Sequence, residues 1–87
     1  MENEKVKESK ERVKVIVNVL KQTLLLQKLL NKTVDDELVR NLVASLEALK
    51  NISDKAEFNN KIDQAIGLLN RKDLEGAIRG LMEAIVQ

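Results

Sequence analysis

The chain has 87 residues, enough for one domain and too few for a second core. It contains no cysteine and no histidine, which excludes disulfides, thiolate metal sites, and the usual general base and transition-metal ligand. A formal net charge of +1 conceals an asymmetry: residues 1–32 hold eight Lys/Arg against four Glu, residues 33–87 hold seven against ten Asp/Glu, and no acidic residue lies between Arg12 and Val34.

Proline is absent, and Leu, Lys, Glu and Ala are abundant. Every long segment repeats its apolar residues at helical period and none sustains strand alternation. The expectation is an all-α fold, a single helical domain over 1–87 made of about four helices, the first long and the other three shorter. The first helix covers roughly residues 4–31 and carries a polar N-terminal extension, 1–12, expected to fray or project. Thr33 is placed to cap a second helix over 34–51, with Asp35, Asp36 and Glu37 favouring the positive end of its dipole. Its buried face is expected to hold Leu38, Leu42, Ser45, Leu46 and Leu49. Ser53 or Asp54 is expected to cap the third helix, with Asp54 and Glu57 at capping-box spacing, ahead of the stripe Phe58, Ile62, Ala65, Ile66 and Leu69. A tight turn over 70–73 leads to a last helix, capped by Asp73 and burying Leu74, Ala77, Ile78, Leu81 and Ile85. Acid-to-base pairs four residues apart, Glu8–Arg12, Asp36–Arg40, Glu57–Lys61 and Glu75–Arg79, mark the outer faces. Short connections force neighbouring helices antiparallel, so an up-and-down bundle follows, with an open stack of two hairpins as the alternative.

The first helix is unusual. At 100° per residue, the apolar residues between Val13 and Leu30 cover an arc of roughly 240°, where a surface helix needs only slightly more than about 100°. The remaining strip holds Lys14, Asn18, Lys21, Gln22 and Lys28, with Leu25 stranded among them. Either this helix is the centre of the bundle, touched by the other three, or part of the arc meets another chain. Val17, Leu24 and Leu25, with Met82 and Val86 of the last helix, are the candidate partner-binding residues. Lys7, Lys14, Lys21 and Lys28, spaced by sevens, form a basic edge that either follows an acidic partner or keeps one strip wet.

The inventory is poor in chemistry. Asp35, Asp36 and Glu37 are explained by their place at a helix start, and Ser9, Ser45 and Ser53 have only lysine as an activating base. No glycine-rich phosphate loop and no calcium loop occurs, so no catalytic residue, metal or cofactor is expected. Phe58 is the only aromatic residue, which leaves single-stranded nucleic acid without a stacking platform and an interfacial helix without an anchor. No uncharged run approaches the length of a membrane span. With a charged N-terminus unlike a signal peptide, a cytoplasmic location is expected.

Residues 57–87 resemble one tetratricopeptide-type helical hairpin. Ala65 stands where that repeat wants a small residue, Asp73-Leu74-Glu75-Gly76-Ala77-Ile78 looks like its turn and second-helix opening, and Ala77, Leu81 and Ala84 fall at its packing positions. The resemblance implies a hairpin of the kind used to bind proteins. The wide apolar arc of the first helix makes the expected function a non-catalytic interaction or structural module that binds itself or a partner subunit through that helix. The alternatives are an accessory subunit of a nucleic-acid-processing complex using the basic edge, and a designed bundle without natural function.

Overall fold

A computed structural model describes residues 4–86. Neither Gly nor Pro interrupts the first long segment, so α1 runs unbroken over Glu4–Leu30. It ends in a left-handed cap: Asn31, a residue that tolerates this conformation, has φ 53°, and the Lys32 N–H donates to the Gln27 carbonyl at 3.3 Å.

Helix α2 spans Asp36–Ile52. Its N-cap is Asp35 and not Thr33: the Asp35 carboxylate accepts from the Glu37 N–H at 2.9 Å. The reason lies one residue earlier. Val34 is buried, and it stands at hydrophobic-staple spacing from buried Val39, which delays the helix start until after Asp35. The core stripe is Val39, Leu42, Leu46 and Leu49. Ser45 is not part of it; it is exposed, and its hydroxyl donates back to the Asn41 carbonyl at 3.0 Å.

Between α2 and α3, which spans Ala56–Asn70, the buried Ser53 organises the turn. Its N–H closes α2 on the Leu49 carbonyl, its hydroxyl accepts from the Lys55 N–H at 3.2 Å, and its carbonyl accepts from the Asn59 amide at 3.0 Å. The N-cap of α3 is Lys55, without a side-chain bond, so neither Ser53 nor Asp54 caps α3 as expected. With the helix beginning at Ala56, Asp54 sits one residue too early to reach it. The stripe Phe58, Ile62, Ala65, Ile66 and Leu69 is buried in full.

The turn into α4, Leu74–Val86, is a Schellman motif. Lys72 has φ 62°, its N–H donates to the Leu69 carbonyl at 2.8 Å, and the Asp73 N–H donates to the Leu68 carbonyl at 2.9 Å. Asp73 then caps α4, accepting from the Gly76 N–H at 3.0 Å. Leu74, Ala77, Leu81 and Ala84 are buried, while Ile78 and Ile85 pack against the core from its edge.

Each helix packs on its chain neighbours and α4 returns to α1, while the backbones of the diagonals α1–α3 and α2–α4 stay apart. This is an up-and-down bundle. Helix α1 is therefore not the centre of the fold; its neighbouring helices are α2 and α4. Its polar opening is helical from Glu4 and Ser9 within it is fully buried, so that turn packs on the bundle; residues 1–3 lie outside the described part.

Candidate functional site

Helix α1 carries two apolar series at alternating steps of three and four residues. The first, Ser9, Val13, Ile16 and Leu20, with Val17 beside it, is buried in the bundle core. The second, Val15, Val19, Gln22, Leu26 and Leu29, follows the same spacing on the far side of the helix, with Leu30 adjoining it. This second series is uncovered: Val15 is 63% exposed, Leu26 55%, Leu29 70% and Leu30 58%. Helix α2 repeats the arrangement. Beside its core stripe runs Leu38, Asn41, Ser45, Ala48 and Ile52, partly or fully exposed and without charge.

Members of the two outer series, Val15, Leu26 and Leu30 of α1 and Leu38, Ser45 and Ala48 of α2, line depressions along the α1–α2 junction. A depression of about 340 Å³ is lined by Arg12, Val15, Ile16, Ser45, Ala48 and Leu49. A second, of about 220 Å³, is lined by Leu26, Leu30, Val34 and Leu38 among others, next to the connection between the helices. Helices α1 and α2 also touch least of the four neighbouring pairs.

Electrostatics separate this side of the bundle from the rest. Lys28 reaches Glu75 of α4 at 3.2 Å, Lys61 of α3 reaches Glu83 of α4 at 2.8 Å, Lys50 of α2 pairs with Asp63 of α3, and Lys72 reaches Asp36 of α2 at 2.6 Å. Among the described residues no such pair joins α1 to α2. The sequence places Asp36, Lys61 and Glu75 in pairs within their own helices; the fold turns each toward a neighbouring helix or turn, and only Glu8–Arg12, at 2.9 Å, forms as expected. Lys72 hydrogen-bonds the Asp36 carboxyl and holds it below its ordinary range, Lys61 does the same to Glu83, and Asp63 raises the Lys50 ammonium. None of these groups lies on the α1–α2 face.

The candidate partner residues divide. Val17 is a correction: it is 5% exposed, inside the core, because it belongs to the buried series of α1. Leu24 is half-buried and packs against the core, where it shares a shallow groove with Lys21, Glu75, Ile78 and Met82. Leu25, Met82 and Val86 are exposed. The residues that form the uncovered face, Val15, Val19, Leu26, Leu29 and Leu30, were inside the wide arc but not among those singled out. The signal that separates them is the second heptad-like series, matched by the one on α2.

All four lysines of the basic edge, Lys7, Lys14, Lys21 and Lys28, are exposed. Lys21 and Lys28 lie against α4, and two of the four are already paired, Lys14 with Glu11 at 3.3 Å and Lys28 with Glu75. Ser9 has a buried hydroxyl without a hydrogen-bond partner, and Ser45 and Ser53 spend theirs on backbone groups. Among the described residues no group of three or more carboxylates converges as a metal site would require, and no helix is long and apolar enough to cross a membrane. The chain matches no protein-family profile, no curated protein and no solved structure.

Proposed function

We propose that the chain is a protein–protein interaction module that works by docking and without turnover, through the face formed by α1 and α2. The observation that carries this is the uncovered series Val15, Val19, Leu26, Leu29 and Leu30, lying beside the uncharged series on α2. Contiguous exposed apolar surface on a small soluble domain marks an interaction site, since water otherwise penalises it. Its heptad-like spacing suits a helix of the partner, which can seat its own apolar stripe along the junction. A tetratricopeptide-like character for the α3–α4 hairpin adds a second element of the same class; the burial of Ala65, Ala77 and Ala84 is consistent with it. The absence of cysteine suits a reducing compartment, and we place the module in the cytoplasm. Nucleic-acid binding draws less support, because Phe58 is buried and half of the basic edge is paired within the chain.

The test is site-specific photo-cross-linking in cells that make the chain, with a photoreactive residue at Leu26 and, as control, at exposed Gln64 of α3. Docking predicts a protein adduct from position 26 and none from position 64. Silence at both positions would overturn it.

A further inference from the structure

The docking face has a symmetry of its own. Within the exposed face of α1, Val15, Val19, Leu26 and Leu30 are spaced four, seven and four residues apart, symmetric about the point between Gln22 and Thr23, with Leu29 standing beside this line at its C-terminal end. Its two ends differ in bulk, two valines toward the N-terminus and two leucines toward the C-terminus. Its flanks carry balanced charge: before the line Glu8 pairs with Arg12 at 2.9 Å and Glu11 with Lys14 at 3.3 Å, after it Lys32 shares a depression with Asp35, and the line itself carries none.

We propose that this face is closed by the same face of a second copy of the chain, packed antiparallel about a two-fold axis near Gln22. The proposal rests on the docking function proposed for the face and names the occupant. Antiparallel packing sets Val15 and Val19 of one copy against Leu30 and Leu26 of the other, small against large, which keeps the helices evenly spaced along the seam. Parallel packing would instead set valine against valine and leucine against leucine, leaving the seam narrow at one end and wide at the other. Exposed Gln22 then meets its equivalent near the axis, where each amide can both donate and accept. One polar layer in an otherwise apolar seam fixes register in this way in helical assemblies.

The area is adequate. Residues 12–30 span about 28 Å of helix. Across the 18 Å width of the molecule this gives a footprint of about 500 Å² per copy, or about 1,000 Å² in all, the level a specific interface must clear.

The chain contains no cysteine, so engineered thiols report orientation directly. Val15→Cys and Leu30→Cys, both at exposed positions, are made as separate full-length chains and oxidised alone and as a mixture. Antiparallel packing predicts a covalent dimer from the mixture and none from either variant alone. In that arrangement equivalent positions lie about 22 Å apart along the helix axis, far beyond disulfide reach. Covalent dimers from each variant alone, with no excess of mixed product, would mean parallel packing and overturn the proposal. No covalent dimer in any sample would also overturn it. In that case a photo-adduct from position 26 with a different protein would leave the docking function standing, and silence there would remove both.

Discussion

Lys72 Nζ lies 2.6 Å from a carboxylate oxygen of Asp36, tying the turn between α3 and α4 to the first turn of α2. The residue that makes this tie sits at φ 62°, the left-handed position that closes a Schellman motif and that glycine adopts most easily. A lysine there carries backbone strain of roughly 1–2 kcal/mol, more than an exposed ion pair returns. Lys72→Gly is therefore expected to stabilise the fold and raise the thermal midpoint by a few degrees in circular-dichroism melts. A lower midpoint would show that the tie to Asp36 outweighs the strain.

The glycines of α4 are expected to behave differently from one another. A Cβ at Gly80 meets nothing within 4 Å, so Gly80→Ala should gain the helix-propensity difference, about 0.5–1 kcal/mol. A Cβ at Gly76 would lie 2.6 Å from the Asp73 carboxylate that caps the helix. Gly76→Ala should show little or no gain, because the cap it displaces contributes about 1 kcal/mol. Chemical denaturation of the two variants side by side gives the comparison; equal gains would mean the cap shifts freely.

Stability should respond to pH only at the extremes. Asp36 and Glu83 titrate below their ordinary values in the folded chain, because Lys72 and Lys61 hydrogen-bond their charged forms. What they contribute is present above the unfolded carboxylate range and lost as pH falls through it. Lys50 titrates above its ordinary value beside Asp63, so its contribution is present below the unfolded lysine range and lost as pH rises beyond it. With no histidine to titrate between, the melting midpoint should be flat from about pH 6 to pH 9 and fall below about pH 4. A step near neutrality would contradict this assignment.

Two glutamate substitutions on α1 separate its buried series from its exposed one. Val17→Glu places a carboxylate at a core position and should cost several kcal/mol, enough to unfold so small a domain. Leu26→Glu adds charge to an exposed position and should leave helicity and melting of the monomer nearly unchanged. Far-ultraviolet circular dichroism of both distinguishes the two series.

The contrast between α3 and α1 shows how far the sequence reveals the fold. Phe58, Ile62, Ala65, Ile66 and Leu69 form one stripe of helical period in an otherwise polar segment, and such a stripe can face only one way. Asp73 is equally legible, because a carboxylate three residues before a helical N–H has an obvious acceptor role. Helix α1 is ambiguous because two series of the same spacing overlap into one wide arc. The buried one contains Ser9 among Val13, Ile16, Val17 and Leu20, and the exposed one contains Gln22 among Val15, Val19, Leu26 and Leu29, so residue hydrophobicity does not separate them. What decides is how far α2 and α4 wrap around the helix, and that is a property of packing. The ion pairs fail for the same reason: an acid has a partner four residues away and another on the next helix, and only the approach of that helix selects between them.

The face around Leu26 is proposed to close on a second copy of the chain. The most direct measurement is solution mass by light scattering after size exclusion, for the wild-type chain and Leu26→Glu, across about a hundredfold range of concentration. A wild-type mass near twice the 9.8 kDa of the chain, reduced to that of a folded monomer by Leu26→Glu, is the predicted result. A wild-type monomer at every concentration, or a dimer that Leu26→Glu leaves intact, would contradict it.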